Sequence, residues 1–197
     1  MRLYLIRHGK TAANEQRLYC GSTDLPLSET GKRELEMKSM CGIENVRFVT
    51  SGMLRTKQTL QLLFGEVPFE VDERFREMDF GVFEMGSYET LKERTDYQIW
   101  ISGDNEVNIC PGGESGVQMK QRVLEGLADL LFCGRDTVLV AHGGTIAIMM
   151  EALFPDENKN RYEWQPKPGC GYLIENDTSE RQSGLTRNDT LKWLKIL

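Results

Sequence analysis

Apolar positions in this chain fall into short unbroken runs and longer interrupted stripes, and the two kinds alternate. Leu3-Tyr4-Leu5-Ile6 is an unbroken run that stops at Arg7-His8-Gly9. That pattern marks a strand buried on both faces, released by glycine into a turn. Val46 to Thr50, a short piece near Phe69-Glu70-Val71, Val138-Leu139-Val140-Ala141, and Gly171 to Glu175 read as further strands. A last one near Leu191 to Ile196 reads as an antiparallel edge strand.

Between the strands the spacing turns helical. Ser28 is placed to cap a helix running to about Cys41. Leu60, Leu63 and Phe64 mark a helix after Ser51-Gly52, and Tyr88 to Ile101 reads as one more. Val117, Leu124, Leu127, Ala128 and Leu131 trace one stripe of a long helix. Ile146, Met149, Met150, Leu153 and Phe154 trace another, after which the chain reads as loop from Pro155 to the strand at Gly171. The alternation predicts an α/β fold, a three-layer sandwich with a mainly parallel sheet and helices on both faces.

Phe75 to Gly113 has a different texture, ending in the break signal Pro111-Gly112-Gly113-Glu114. It reads as a lid insertion (about 75–113) over the C-terminal edge of the strands, inside one domain spanning 1–197.

Charge narrows the choice of partners. The net charge is −6, which disfavours nucleic acid and anionic membrane as partners. A small phosphorylated metabolite remains compatible, provided that positive charge is gathered locally. Five scattered cysteines without a Cys-x-x-Cys pair fit reduced thiols in the cytoplasm. The first apolar run is too short for a signal-peptide core, and no stretch approaches membrane-spanning length, so a cytoplasmic location is expected. Nothing in the pattern speaks to oligomeric state.

The chain holds only two histidines, His8 and His142, and each ends a strand before a glycine. If those strands are parallel neighbours, both rings stand at the carboxyl edge of the sheet, where open α/β sheets place ligands. Arg7 faces the same pocket only if its strand ends there. Arg55 sits in the first turn of a helix, against the helix dipole. An anion held by that helix start and by guanidinium forks would explain it, and phosphate fits best. His8 then serves as nucleophile, with one ring N–H held by a backbone carbonyl. His142 stabilises the transferring group. The leaving oxygen needs a general acid, and Glu77 lies in a partly apolar stretch suited to that task. Spacing alone does not separate Glu77 from Glu73 or Glu84. There is no Gly-x-Ser-x-Gly elbow, and no clustered His and carboxylate set for a metal or other cofactor.

These residues resemble the histidine phosphatase superfamily, the phosphoglycerate-mutase-like fold, over roughly Leu3 to Leu153. Arg7-His8-Gly9 with Thr11 and Asn14 is similar to its signature, and Gly21 to Gly31 resembles its loop into the first helix. Ser51 to Thr56 resembles the segment carrying the second phosphate arginine, and Arg76 to Gly81 the one carrying the proton donor. Pro111 to Ser115 and His142-Gly143 complete the match. The resemblance implies a metal-independent phosphomonoesterase that forms a phosphohistidine on His8. It puts the phosphoryl group on Arg7, Arg55 and His142, adds Asn14 and Gly143 to the pocket, and gives the acid role to Glu77. Lys10 departs from the acidic residue or Gln often found there. Within the superfamily the chain looks more like α-ribazole phosphatases than mutases, because its lid lacks a Trp-Arg-Arg stretch and offers Asp104 and Glu106, with Lys92 and Arg94 nearby. The alternatives are a phosphoglycerate mutase and a non-catalytic phosphoprotein-binding scaffold.

Overall fold

The computed structural model describes residues 1–38, 40, 43–102, 106–176 and 191–197. Its first half runs β1 (Arg2–Arg7), α1 (Ala12–Glu15), α2 (Glu29–Glu36), β2 (Arg47–Thr50), α3 (Leu54–Phe64) and β3 (Glu70–Val71). Then follow α4 (Tyr88–Leu91), α5 (Thr95–Ile101), α6 (Gly116–Cys133), β4 (Thr137–Ala141), α7 (Gly143–Leu153), α8 (Arg161–Trp164), β5 (Gly171–Asn176) and β6 (Leu191–Ile196).

The six strands form one mixed sheet in the order β3-β2-β4-β1-β5-β6. β3, β2, β4 and β1 are parallel, while β5 and β6 run antiparallel to their neighbours. Side chains alternate across a strand, and β1 shows the result. Leu3 and Leu5 join the core on one face with residues of α6 and α7. Tyr4 and Ile6 join Leu35 of α2 and Leu60 and Leu63 of α3 on the other. Helices therefore cover both faces. β4 is buried at every position, and so is α7 from Gly143 through Met150, as an element apolar all round must be. No helix among the described residues is long and apolar enough to cross a membrane.

Several sequence expectations are corrected. α2 is capped by Ser28 but ends at Glu36, short of Cys41, which lies outside the described residues. Beyond Leu35 the helix face runs out of apolar partners, since Met37 is exposed and Lys38 turns to the Gly169 carbonyl, 2.8 Å away. The single helix expected over Tyr88 to Ile101 is two. Leu91 and Tyr97 are both buried, yet six positions place them about 120° apart on a continuous helix. A break at Lys92-Glu93-Arg94 brings both inward. The stripe on α6 is rotated: Met119, Val123, Gly126, Leu127 and Leu130 face the core, while Val117 is exposed. The close approach at Gly126 sets that face, where a Cβ would meet the Phe75 ring at 2.7 Å. The stretch read as loop after Pro155 contains α8, started by an Asn160 capping box with Glu163.

Candidate active site

The register of β1 on β4 pairs Arg7 with Ala141, so the next residues, His8 and His142, come to lie side by side. Their ring centroids are 5.1 Å apart. β1 ends at Arg7, and the His8 N–H still donates to the Ala141 carbonyl at 3.0 Å. The strand thus ends where Arg7 and His8 can face one site. His8 Nδ1 lies 2.7 Å from the Gly9 carbonyl. A carbonyl only accepts, so Nδ1 carries the proton and Nε2 the lone pair. The Gly9 N–H in turn donates to Thr59 Oγ1 at 2.9 Å, which fixes that peptide on α3. Burial pushes the His8 pKa well below its ordinary 6.5, and the charges of Arg55 and Arg7 push it further.

His142 is wired differently. Its Nε2 meets Ser51 Oγ at 2.8 Å, and its Nδ1 accepts from Arg55 Nε at 3.3 Å. Burial lowers its pKa well below 6.5, followed by the charges of Arg55, His8 and Arg7.

The two arginines supply the positive charge. Arg55 is 1% exposed, and its terminal nitrogens donate to the Thr23 and Gly21 carbonyls at 2.9 and 2.8 Å. Arg7 donates one nitrogen to the Pro166 carbonyl at 2.8 Å, while its Nε is buried with no partner among the described residues. An unsatisfied buried donor is costly, and one on a cation beside a histidine lone pair calls for an anion. Desolvation lowers both guanidinium pKa values, but arginine keeps its charge in such a setting.

Geometry separates the three acidic candidates. Glu73 is exposed and pairs with Arg76. Glu84 ties down the Gly21 to Thr23 loop, accepting from the N–H groups of Gly21, Ser22 and Thr23. Glu77 alone reaches the histidine corner, its Oε2 accepting from the Gly144 N–H at 2.9 Å. The two glycines make room for this. A Cβ at Gly144 would meet Glu77 Oε1 at 2.4 Å, and one at Gly143 would meet Arg7 Cζ at 2.9 Å. Gly143 therefore contributes by letting Arg7 approach. Asn14 uses its carboxamide oxygen to cap α1, which leaves the amide nitrogen for the cavity it lines. Lys10 is paired with Glu34 at 2.5 Å and does not line that cavity.

The cavity is about 550 Å³. Arg7, Asn14, Glu77 and Gly144 line it together with the aromatic side chains of Tyr19, Phe80, Tyr88, Tyr97 and Trp100. His8, His142 and Arg55 are buried and are not among its lining residues. Tyr97 and Trp100 also pack on Phe83 at 5.3 Å, so they serve both core and cavity. Arg161 lines the cavity paired with Glu106 at 2.7 Å, whereas Lys92 and Arg94 pair with Glu89 and Asp96 away from it. Asp104 lies outside the described residues. Sequence reasoning missed the hydroxyls of Ser51, Thr56 and Thr59, which nothing in the spacing marks. It also missed Arg161, Tyr162 and Gln165, although the Asn160-x-x-Glu163 cap was there to be read. Among the described residues no group of three or more His, Cys, Asp or Glu is placed to hold a metal ion.

Comparison with known proteins agrees with this geometry. The family model of the histidine phosphatase superfamily (branch 1) matches residues 3–189. The probable phosphoglycerate mutase GpmB of Salmonella paratyphi B is 29% identical over 163 residues, covering 78% of this chain and 74% of the relative. A solved structure from Escherichia coli, provisionally named an alpha-ribazole-5'-P phosphatase, superposes with a TM-score of 0.83 at 25% identity, covering 100% of this chain and 95% of the other. The alpha-ribazole phosphatase of Shigella flexneri gives 0.78 at 26% identity, covering 90% of this chain and 92% of that one.

Proposed function

We propose that this chain, which belongs to the histidine phosphatase superfamily and is a phosphatase, hydrolyses a small phosphomonoester through a phosphohistidine on His8. The observation that carries the reading is the contrast at one corner. His8 Nε2 holds a lone pair, and Arg7, whose charge acts on the His8 ring, has a buried Nε donor without an acceptor among the described residues. A phosphoryl group satisfies both at once.

In the first step His8 Nε2 attacks phosphorus while the bond to the leaving oxygen breaks. Glu77 gives that oxygen its proton. Arg7 and Arg55 hold the charge on the remaining oxygens, already oriented and shielded from water, and the His142 ring acts through Arg55, whose Nε–H it accepts. In the second step Glu77 takes a proton from water, which attacks the phosphohistidine and releases inorganic phosphate. His8 returns to its starting form. No metal is needed, because the guanidinium groups supply the positive charge. The segment 75–113 acts as the lid, bringing Glu77 to the reacting centre and its aromatic side chains to the leaving group.

The substrate we favour carries an uncharged, planar group beyond its phosphate, as α-ribazole 5′-phosphate does. Aromatic rings line much of the far part of the cavity, and they offer stacking where a second anion would need cations. One observation favours the mutase alternative: Arg161 lines the cavity. It is already paired with Glu106. The test is a phosphate-release screen in excess chelator, comparing α-ribazole 5′-phosphate, sugar phosphates and 3-phosphoglycerate. Bisphosphate-primed interconversion of 3-phosphoglycerate is measured alongside. Hydrolysis should dominate, with the highest kcat/KM for the aromatic nucleotide. Mutase turnover exceeding every hydrolysis would overturn the reading.

A further inference from the structure

We infer that Ser51 and Thr56 are positioning residues that fix the tautomer of His142 and, through it, the aim of Arg55. The inference rests on the phosphatase reading above, which gives Arg55 its task. The direction of each hydrogen bond carries it.

Thr56 Oγ1 lies 2.7 Å from the Met53 carbonyl, which only accepts, so the single hydroxyl proton of Thr56 points there. Ser51 Oγ lies 3.2 Å from Thr56 Oγ1. With the threonine proton committed, Ser51 is the donor in that contact. Its oxygen is then only an acceptor towards His142 Nε2 at 2.8 Å, and Nε2 must carry a proton. The other side of the ring gives the same answer. Arg55 Nε–H can only donate, and it faces Nδ1 at 3.3 Å, so Nδ1 holds the lone pair. Ser51, Thr56 and His142 are fully buried and Arg55 is 1% exposed, which keeps bulk water from resetting these directions.

A second proton on His142 would set an N–H against Arg55 Nε–H. The relay therefore holds the ring neutral, and its desolvation acts in the same sense. A neutral ring with its lone pair on Nδ1 is the third anchor of Arg55, beside the Thr23 and Gly21 carbonyls. Three anchors fix the guanidinium plane before substrate arrives. A hydroxyl chain running from a backbone carbonyl of the α3 cap thus sets the orientation of a charge in the phosphoryl pocket.

The experiment uses the full chain labelled with ¹⁵N-histidine. With only two histidines in the sequence, a His8→Gln variant assigns both spectra. The wild type should show His142 as the Nε2–H tautomer at neutral pH. Thr56→Val keeps the shape but removes the acceptor, so the Ser51 proton turns to His142 Nε2. The Nδ1–H form should then gain population and kcat fall by about 10–100-fold. Thr56→Ser should restore both. An Nδ1–H or doubly protonated His142 in the wild type would overturn the inference without any variant, as would an unchanged tautomer in Thr56→Val. Phosphate trapped on His8 is scored separately in the same samples. Its absence from the wild type would count against the catalytic reading and leave the tautomer result intact.

Discussion

His8 and His142 stand at the ends of neighbouring parallel strands, in register, each ahead of a glycine. They do opposite things because their second nitrogens meet different partners. His8 gives its one proton to the carbonyl of the next residue and leaves Nε2 without a hydrogen bond, on a ring that keeps 5% exposure. His142 has both nitrogens engaged, by Ser51 and Arg55, and no exposure at all. On the proposed function, the same residue type at the same sheet edge is a nucleophile in one wiring and a fixed part of the pocket wall in the other. Position on the fold selects the site, and the hydrogen bonds on the far side of each ring select the role.

The sharpest way to break this comparison is to remove each ring in turn. His8→Ala should cost at least ~10⁴-fold in turnover, since the covalent route is lost. His142→Ala should cost about 10²–10³-fold, the scale of disabling one group that stabilises the transition state, because Arg55 loses the anchor on its Nε. Both are read from single-turnover rates with circular dichroism as a check on folding. Equal losses would mean the two rings share one role.

Glu77→Gln should lower hydrolysis of a substrate with a poor leaving group by about 10²–10⁴-fold. An aryl phosphate, whose leaving oxygen needs less help, should suffer much less. Equal losses on both substrates would make Glu77 a positioning group.

The arginines can be separated by stability. Arg55→Ala leaves the Thr23 and Gly21 carbonyls and His142 Nδ1 without their donor, whereas Arg7→Ala leaves only the Pro166 carbonyl. At about 1–3 kcal/mol for each unsatisfied group, Arg55→Ala should lower Tm by about 6 °C or more. Arg7→Ala should lower it by roughly a third as much. A larger drop for Arg7 in a thermal melt would contradict the assigned contacts.

The smallest effect is on pH. Both histidines have folded-state pKa values well below 6.5, so between those values and 6.5 the unfolded chain binds more protons than the folded one. Their contribution to stability is therefore complete above about pH 7 and is lost as pH falls below 6.5. Urea melts should show this, and the acid limb of kcat/KM should likewise lie below 6.5. A loss of stability on raising the pH from 6 to 8 would reverse the sign.

Much of this was legible in the sequence for a physical reason. Unbroken apolar runs such as Leu3 to Ile6 have one stable home, a strand buried on both faces, and the turn glycines say where each run ends. That was enough to put His8 beside His142 on the condition that their strands are parallel neighbours, which the register of β1 on β4 meets. Contacts set by tertiary packing were not legible. Leu91 and Tyr97 both need the core, and the break between α4 and α5 resolves a conflict that helical spacing does not show. The choice of Glu77 over Glu84 depends on which carboxylate the Gly21 to Thr23 loop captures, a long-range contact with no periodic signature. The hydroxyls of Ser51 and Thr56 look like any polar residues at a helix start.

The central claim reduces to which of two histidines carries phosphate. The full chain is mixed briefly with substrate, quenched in base and digested, and the phosphorylated peptide is sequenced by mass spectrometry. The account predicts an acid-labile phosphate on His8, attached at Nε2, and none on His142. Phosphate on His142, or on no histidine at all while turnover proceeds, would contradict it.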